Sequence, residues 1–135
     1  MTEDELLRQP VSAYMNEPQR QYFRNLLLAD RDALQARIDS EFRALREQEV
    51  HSDPADIGSA EEERHWQLRS LEREKKLLDK IDQALERLAR GEYGWCEETG
   101  EPIGLRRLLL RPTASLSIEA KERQELRERH LRHDG

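Results

Sequence analysis

Apolar residues recur at helical spacing in two long stretches of this chain. Asn16-Glu17-Pro18 has the form of a helix start, a capping side chain followed by an early proline. Beyond it no Gly or Pro interrupts to about Val50. Leu27, Leu34, Ile38, Phe42 and Leu45 follow at steps of seven, four, four and three, which places them on one helical stripe, with Arg, Asp and Glu on the other faces. The segment HSDPADIGSA, residues 51 to 60, breaks the pattern with Pro54 and Gly58. Ser59-Ala60-Glu61-Glu62 then fits a capping box, predicting a second helix that runs to Arg90 and stops at Gly91. Within it Leu71, Leu78 and Leu85 are seven apart, interleaved with Glu74, Ile81 and Leu88. That is heptad spacing.

Two helices of about 30 residues, each about 45 Å long at 1.5 Å per residue, bury such stripes against each other when a short loop returns the chain antiparallel. A helical bundle is the alternative home for the same stripes. After Gly91 the periodicity vanishes: EYGWCEETGEPIGLRRLLLRPTASL sets Gly94, Gly100, Gly104, Pro102 and Pro112 among short apolar runs, a pattern of turns and strands. Ser117 caps a final helix, IEAKERQELRERHLRH, with a weak apolar face. The expected fold is mainly α. It comprises a long antiparallel coiled-coil hairpin at 16–90 with an acidic tip near 51–59, and a small zinc-ribbon-like module without metal, with a C-terminal helix, at 91–135. An N-terminal segment at 1–15, carrying Leu6, Leu7, Val11 and Tyr14, docks on the globular part.

Composition agrees with long helices rather than one thick core, since 36% of the 135 residues are apolar and 39% charged. Cys96 is the single cysteine, so no intrachain disulfide forms and the cytoplasm is the expected compartment. No apolar run reaches the roughly 18 residues of a membrane span. A net charge of -6 argues against binding nucleic acid through phosphate neutralisation. From Glu47 through Glu63 there are seven acidic residues and no Lys or Arg. Asp53-Pro54-Ala55-Asp56 could chelate a cation, accept hydrogen bonds from a partner, or simply solvate a turn.

WCEETGEPIG, residues 95 to 104, has the outline of a zinc knuckle with ligands missing. Together with DPADIGSAEEE, Arg73-Glu74-Lys75-Lys76-Leu77 and the run IGLRRLLLRPTASL, it gives the chain a resemblance to the DksA/TraR family of RNA polymerase-binding transcription factors. Zinc-bearing members carry CxxC, seventeen residues, then CxxC. The matching positions here are Cys96, Thr99, Ser117 and Ala120. One thiolate does not close a four-coordinate structural site, and His130 and His133 lie beyond the motif. Zinc is therefore not expected, and packing by Tyr93, Trp95, Ile103, Leu105, Leu108, Leu116 and Ile118 has to replace it. Cys96 reads as a small buried residue, and the chain as insensitive to oxidants and zinc supply.

The resemblance implies that the hairpin enters the secondary channel of RNA polymerase and that Asp53 and Asp56 contact the active centre, destabilising short-lived promoter complexes. Gly58 stands where the family usually has Ala. It further implies a guanosine tetraphosphate (ppGpp) site completed at the polymerase interface by Arg73, Leu77, Lys80, Arg111 and Lys121. The expected protein is a monomer, not an enzyme, with no cofactor of its own, no sequence-specific nucleic-acid contact and no membrane contact. The rival readings are a Gre-like transcript cleavage factor and a coiled-coil adaptor.

Overall fold

A computed structural model describes residues 1–51 and 57–134, with side chains at 1–48 and 61–132. Among the described residues the chain forms α1 (Glu3–Arg8), a 3-10 turn (Val11–Ala13), α2 (Glu17–His51), α3 (Ile57–Arg90), α4 (Leu105–Leu110) and α5 (Ile118–Asp134). The tip aspartates Asp53 and Asp56 lie outside the described residues. The chain divides into two compact units: Leu28–Asp82, and Met1–Leu27 with Gln83–Gly135.

In the Leu28–Asp82 unit α2 and α3 run antiparallel. Arg31 Nε meets Asp82 Oδ1 at 2.7 Å, Arg37 Nε lies 3.6 Å from Glu74 Oε1, and Lys75 Nζ sits 5.2 Å from the centre of the Phe42 ring. As α2 advances, its partners on α3 step back. Between the helices Leu34, Ile38, Leu45, Leu71 and Ile81 are buried, each burial worth about 1.5–3 kcal/mol against leaving the side chain in water. Phe42 departs from expectation. It is 42% exposed at the edge of the stripe, and its ring carries the Lys75 ammonium on one side.

Glu41 takes a place nearer the seam, where its carboxyl faces that of Glu74. Burial raises the Glu41 pKa, and a hydrogen bond to Glu74 together with that group's charge raises it further, against a smaller lowering from Arg37. Ionisation of Glu41 is thus disfavoured where it stands, and Glu41 Oε2 and Glu74 Oε2 are buried without a hydrogen-bond partner.

In the other unit, Leu6, Met15, Phe23, Leu27, Ala84, Leu88, Tyr93, Ile103, Leu108 and Ala120 are buried. Asn16 Oδ1 accepts from the Gln19 amide and so caps α2, while Gln19, itself wholly buried, accepts from the Met15 amide and donates to Gln9 Oε1. The N-terminal segment packs through Leu6 and Tyr14, but Val11 is 94% exposed on the 3-10 turn. Trp95 and Ile118, expected inside the ribbon, are 37% and 52% exposed. The interior is already filled by Tyr93, Ile103 and Leu108.

Two local expectations fail. Ser59 is not the N-cap of the second long helix, because α3 begins at Ile57 and takes Ser59 into its first turn. Gly58 does not prevent this, since amides there have no intrahelical partner to lose. The segment after Gly91 forms no strand among the described residues. A single antiparallel bridge pairs Trp95 with Pro102, and the run expected as a strand is α4. Leu105, Leu108 and Leu109 repeat at three and one, helical spacing in a run too short to register as a period.

The raised Glu41 pKa gives the hairpin a pH dependence with a definite sign. A carboxyl whose folded pKa lies above its unfolded value stabilises the fold below the ordinary glutamate range and loses that contribution as pH rises through the folded value. Glu41→Gln keeps a donor toward Glu74 without titrating. It is expected to stabilise the protein by about 1 kcal/mol at mildly alkaline pH and to match wild type in acid. Thermal melts across pH check this; parallel pH profiles for the two proteins would rule out the raised Glu41 pKa.

Candidate functional site

The ribbon-like segment starts from a helix stop that only glycine makes easily. Gly91 has φ +75°, its amide reaches Leu88 O at 3.2 Å, and the Glu92 amide reaches Arg87 O at 2.9 Å. This reciprocal pair ends α3 and turns the chain. At Gly94, φ +90°, a Cβ would stand 2.8 Å from Met15 Cγ and Sδ. The Gly94 carbonyl accepts from the Tyr14 hydroxyl at 2.5 Å, and the Gly104 amide donates to the same hydroxyl oxygen at 3.0 Å. Between these anchors the knuckle closes on itself. The Cys96 amide donates to Glu101 O, the Gly100 amide to Cys96 O and the Ile103 amide to Gly94 O, each at 2.8 Å. The Glu97 amide reaches Ser115 O at 2.9 Å, drawing the segment before α5 alongside.

That closure gathers Thr99 and Ser117 around the Cys96 sulfur. Cys96 is 2% exposed. Burial pushes its thiol pKa up, but hydrogen bonds from the Thr99 hydroxyl, the Ser117 and Thr99 amides and the Ser117 hydroxyl outweigh it and lower the value to about 6. Ser117 Oγ also accepts from the Ala120 amide at 3.2 Å and thereby caps α5. Ala120, in the last of the four positions, is wholly buried and offers only a methyl group. One sulfur, two hydroxyls engaged with that sulfur and a methyl do not form the donor set of a structural zinc ion. His130 is exposed on α5, and no group of three or more His, Cys, Asp or Glu among the described residues is placed to hold a metal ion.

With this geometry in hand, comparison with known proteins is decisive. Residues 19–88 match the model of the DnaK suppressor protein DksA N-terminal domain, and residues 91–126 that of the prokaryotic dksA/traR C4-type zinc finger. The chain belongs to the DksA/TraR family. It is 49% identical over 122 residues to the RNA polymerase-binding transcription factor DksA of Caulobacter vibrioides, covering 90% of this chain and 86% of that one. With the protein of the same name from Escherichia coli K12 it shares 38% over 123 residues, covering 90% and 82%. Among solved structures, transcription factor DksA2 from Pseudomonas aeruginosa superposes with a TM-score of 0.89 at 72% identity, over 96% of this chain and all of that one.

The DksA/TraR positions singled out in the sequence fall as follows. Arg73 and Lys80 are exposed on α3 with Leu77, 43% exposed, on the same side. Arg111 is exposed at the C-terminal end of α4, its amide bonded to Arg107 O at 2.7 Å. Lys121 is half-buried on α5, where Nζ reaches Gln124 Oε1 at 3.2 Å. The first three belong to the Leu28–Asp82 unit and the last two to the other. What the pattern of missing ligands hid is a positive use for Thr99 and Ser117. Both carry hydroxyls able to donate to sulfur, the signal that was present in the sequence.

A thiol lowered in the folded state contributes stability above its unfolded pKa, and that contribution is lost as pH falls toward 6. Ultraviolet absorbance of the thiolate should therefore titrate near 6 in the native protein. In Thr99→Val and Ser117→Ala the midpoint should move up by about 1 unit for each donor lost. A native midpoint at the ordinary cysteine value would refute the hydrogen-bonded sulfur.

Proposed function

We propose that this chain is a transcription regulator that binds RNA polymerase directly through the secondary channel and, with ppGpp, changes promoter-complex stability. The observation that carries the reading is similarity along 90% of this chain, at 49% identity, to a protein named RNA polymerase-binding transcription factor DksA. An antiparallel helix pair whose connecting segment carries Asp53 and Asp56 supports it. In this reading the two aspartates act at the polymerase active centre. Arg73, Lys80, Arg111 and Lys121 offer charge-assisted hydrogen bonds to the effector's phosphates and Leu77 an apolar contact. The protein itself catalyses nothing, makes no sequence-specific DNA contact and acts as a cytoplasmic monomer. It represses ribosomal-RNA-type promoters and activates others.

In vitro transcription from a ribosomal RNA promoter, with and without ppGpp, tests this. Wild type is expected to inhibit and ppGpp to deepen the inhibition. The Asp53→Asn, Asp56→Asn double variant should lose most inhibition while still binding core polymerase. Charge reversal at Lys80 or Arg111 should remove the ppGpp response and leave basal inhibition. Release of 3′ cleavage products from stalled complexes would point to a Gre-like factor instead, and failure to bind core polymerase to an adaptor.

The family fold is proposed to stand here without zinc, supported by the donor set around Cys96. Structural zinc contributes on the order of 10 kcal/mol to a small domain, so the test is sensitive. Elemental analysis is expected to find no stoichiometric zinc, and a strong chelator to leave the thermal midpoint unchanged. A large drop on chelation would overturn the zinc-free fold.

A further inference from the structure

On α3, one face from Trp66 to Lys80 presents Trp66, Arg69, Arg73, Lys76, Leu77 and Lys80, all exposed. At 100° per residue they fall within about 100° of arc and about 21 Å of helix. No carboxylate lies within that arc between Trp66 and Lys80; Glu72 and Asp79 flank its edge, each one helical turn from Lys76, and Glu74 lies toward the seam. In a chain of net charge -6 this is a local reversal. The cations are also uncommitted: among the described residues none of the four has a carboxylate partner, and Arg69 instead lies 5.9 Å from the centre of the Trp66 ring. Trp66 is 65% exposed, a large apolar surface held beside a guanidinium and left to solvent.

We propose that Trp66, Arg69 and Lys76 form a docking face for an acidic surface of RNA polymerase, with the indole as its anchor in an apolar recess. The proposal rests on the polymerase-binding reading and extends it beyond the tip and effector positions. Tryptophan and arginine are the residues most often dominant at protein interfaces, and an exposed indole flanked by unpaired cations matches an apolar recess rimmed by carboxylates. A phosphate ligand would account for the cations but leaves the Trp66 ring without an apolar partner except where bases stack.

Equilibrium binding to immobilised core polymerase, at low and physiological salt, tests the assignment. Trp66→Ala and the Arg69→Glu, Lys76→Glu double variant are expected to weaken binding by about tenfold or more. The charge variant should also flatten the salt dependence, and Trp66→Phe should retain most of the affinity. Leu68→Ala, an exposed residue on another side of α3, and Arg43→Glu on α2 should stay within about twofold of wild type. Circular dichroism should show native helix content throughout, since every substituted side chain is exposed.

Wild-type affinity in the Trp66 and Arg69/Lys76 variants would overturn the proposal and leave the polymerase reading intact. Equal losses in the two controls would overturn it as a nonspecific effect of surface change. Full polymerase binding with loss of ppGpp response or of single-stranded RNA binding would assign the face to a phosphate ligand and likewise overturn it. A wild-type chain that does not bind polymerase at all removes both readings together.

Discussion

Burial of the Tyr93 ring is the contact on which the smaller-element unit depends. Tyr93 is 1% exposed, its ring centre lies 5.5 Å from that of Phe23, and its hydroxyl donates to Pro112 O at 2.8 Å. One side chain thereby joins the start of α2, the loop after α3 and the turn before α5. Burial holds the phenol well above its ordinary pKa, so the O–H remains a donor at every physiological pH. Tyr14 works alike, bridging Gly94 and Gly104 with its hydroxyl and meeting the Trp95 ring edge-on at 5.2 Å. Removing a buried aromatic side chain costs about 3–5 kcal/mol. Two or three such contacts reach the order of what a structural zinc ion supplies, the scale that the proposed zinc-free ribbon requires.

The same substitution changes what the sulfur is. In a four-thiolate site each sulfur's charge is shared with a metal, and oxidation of one ligand opens the cluster. Here four protein donors stabilise the Cys96 thiolate, and the side chain is 2% exposed. A low thiol pKa ordinarily marks a reactive cysteine, but reactivity also requires access. The sulfur acts as an acceptor that draws the Thr99 turn toward the N-terminus of α5, so Thr99 and Ser117 keep the outline of the knuckle by pointing hydrogens rather than lone pairs at its centre.

Helices α2 and α3 were legible because stripes sustained over thirty residues leave little choice of structure. Leu27, Leu34, Ile38, Leu45, Leu71, Ile81 and Leu88 are all buried where their spacing puts them. The failures fall where the signal is local. Gly58 and Ser59 invited a helix boundary three residues late. LRRLLL, six residues between Gly104 and Arg111, is too short for its period to outvote the surrounding glycines and prolines. Phe42 was assigned by hydrophobicity and Glu41 by charge, yet Glu41 lies nearer the seam, facing Glu74, at a cost to its ionisation. Of the candidate site, the missing zinc ligands could be counted from the sequence. The hydrogen bonds that replace them could not, since they need Cys96 and Ser117, twenty-one residues apart, in contact.

What folding does not explain is the distribution of charge on α3. Arg87 and Arg90 close the last turn, where cations suit the helix dipole. Arg31–Asp82 and Arg37–Glu74 cross the seam, and as largely exposed pairs they contribute about 0–1 kcal/mol each. Neither role reaches Arg69, Arg73, Lys76 and Lys80, which lie mid-helix, away from the seam, without carboxylate partners among the described residues. Like charges one helical turn apart repel by a few tenths of a kcal/mol per pair, and among the described residues neither Glu72 nor Asp79, each a turn from Lys76, forms an ion pair with the row. An arrangement that costs stability and leaves an indole in water is accounted for when something outside the chain meets that face. At Arg69 and Lys76 the carboxylates it lacks would then come from the partner.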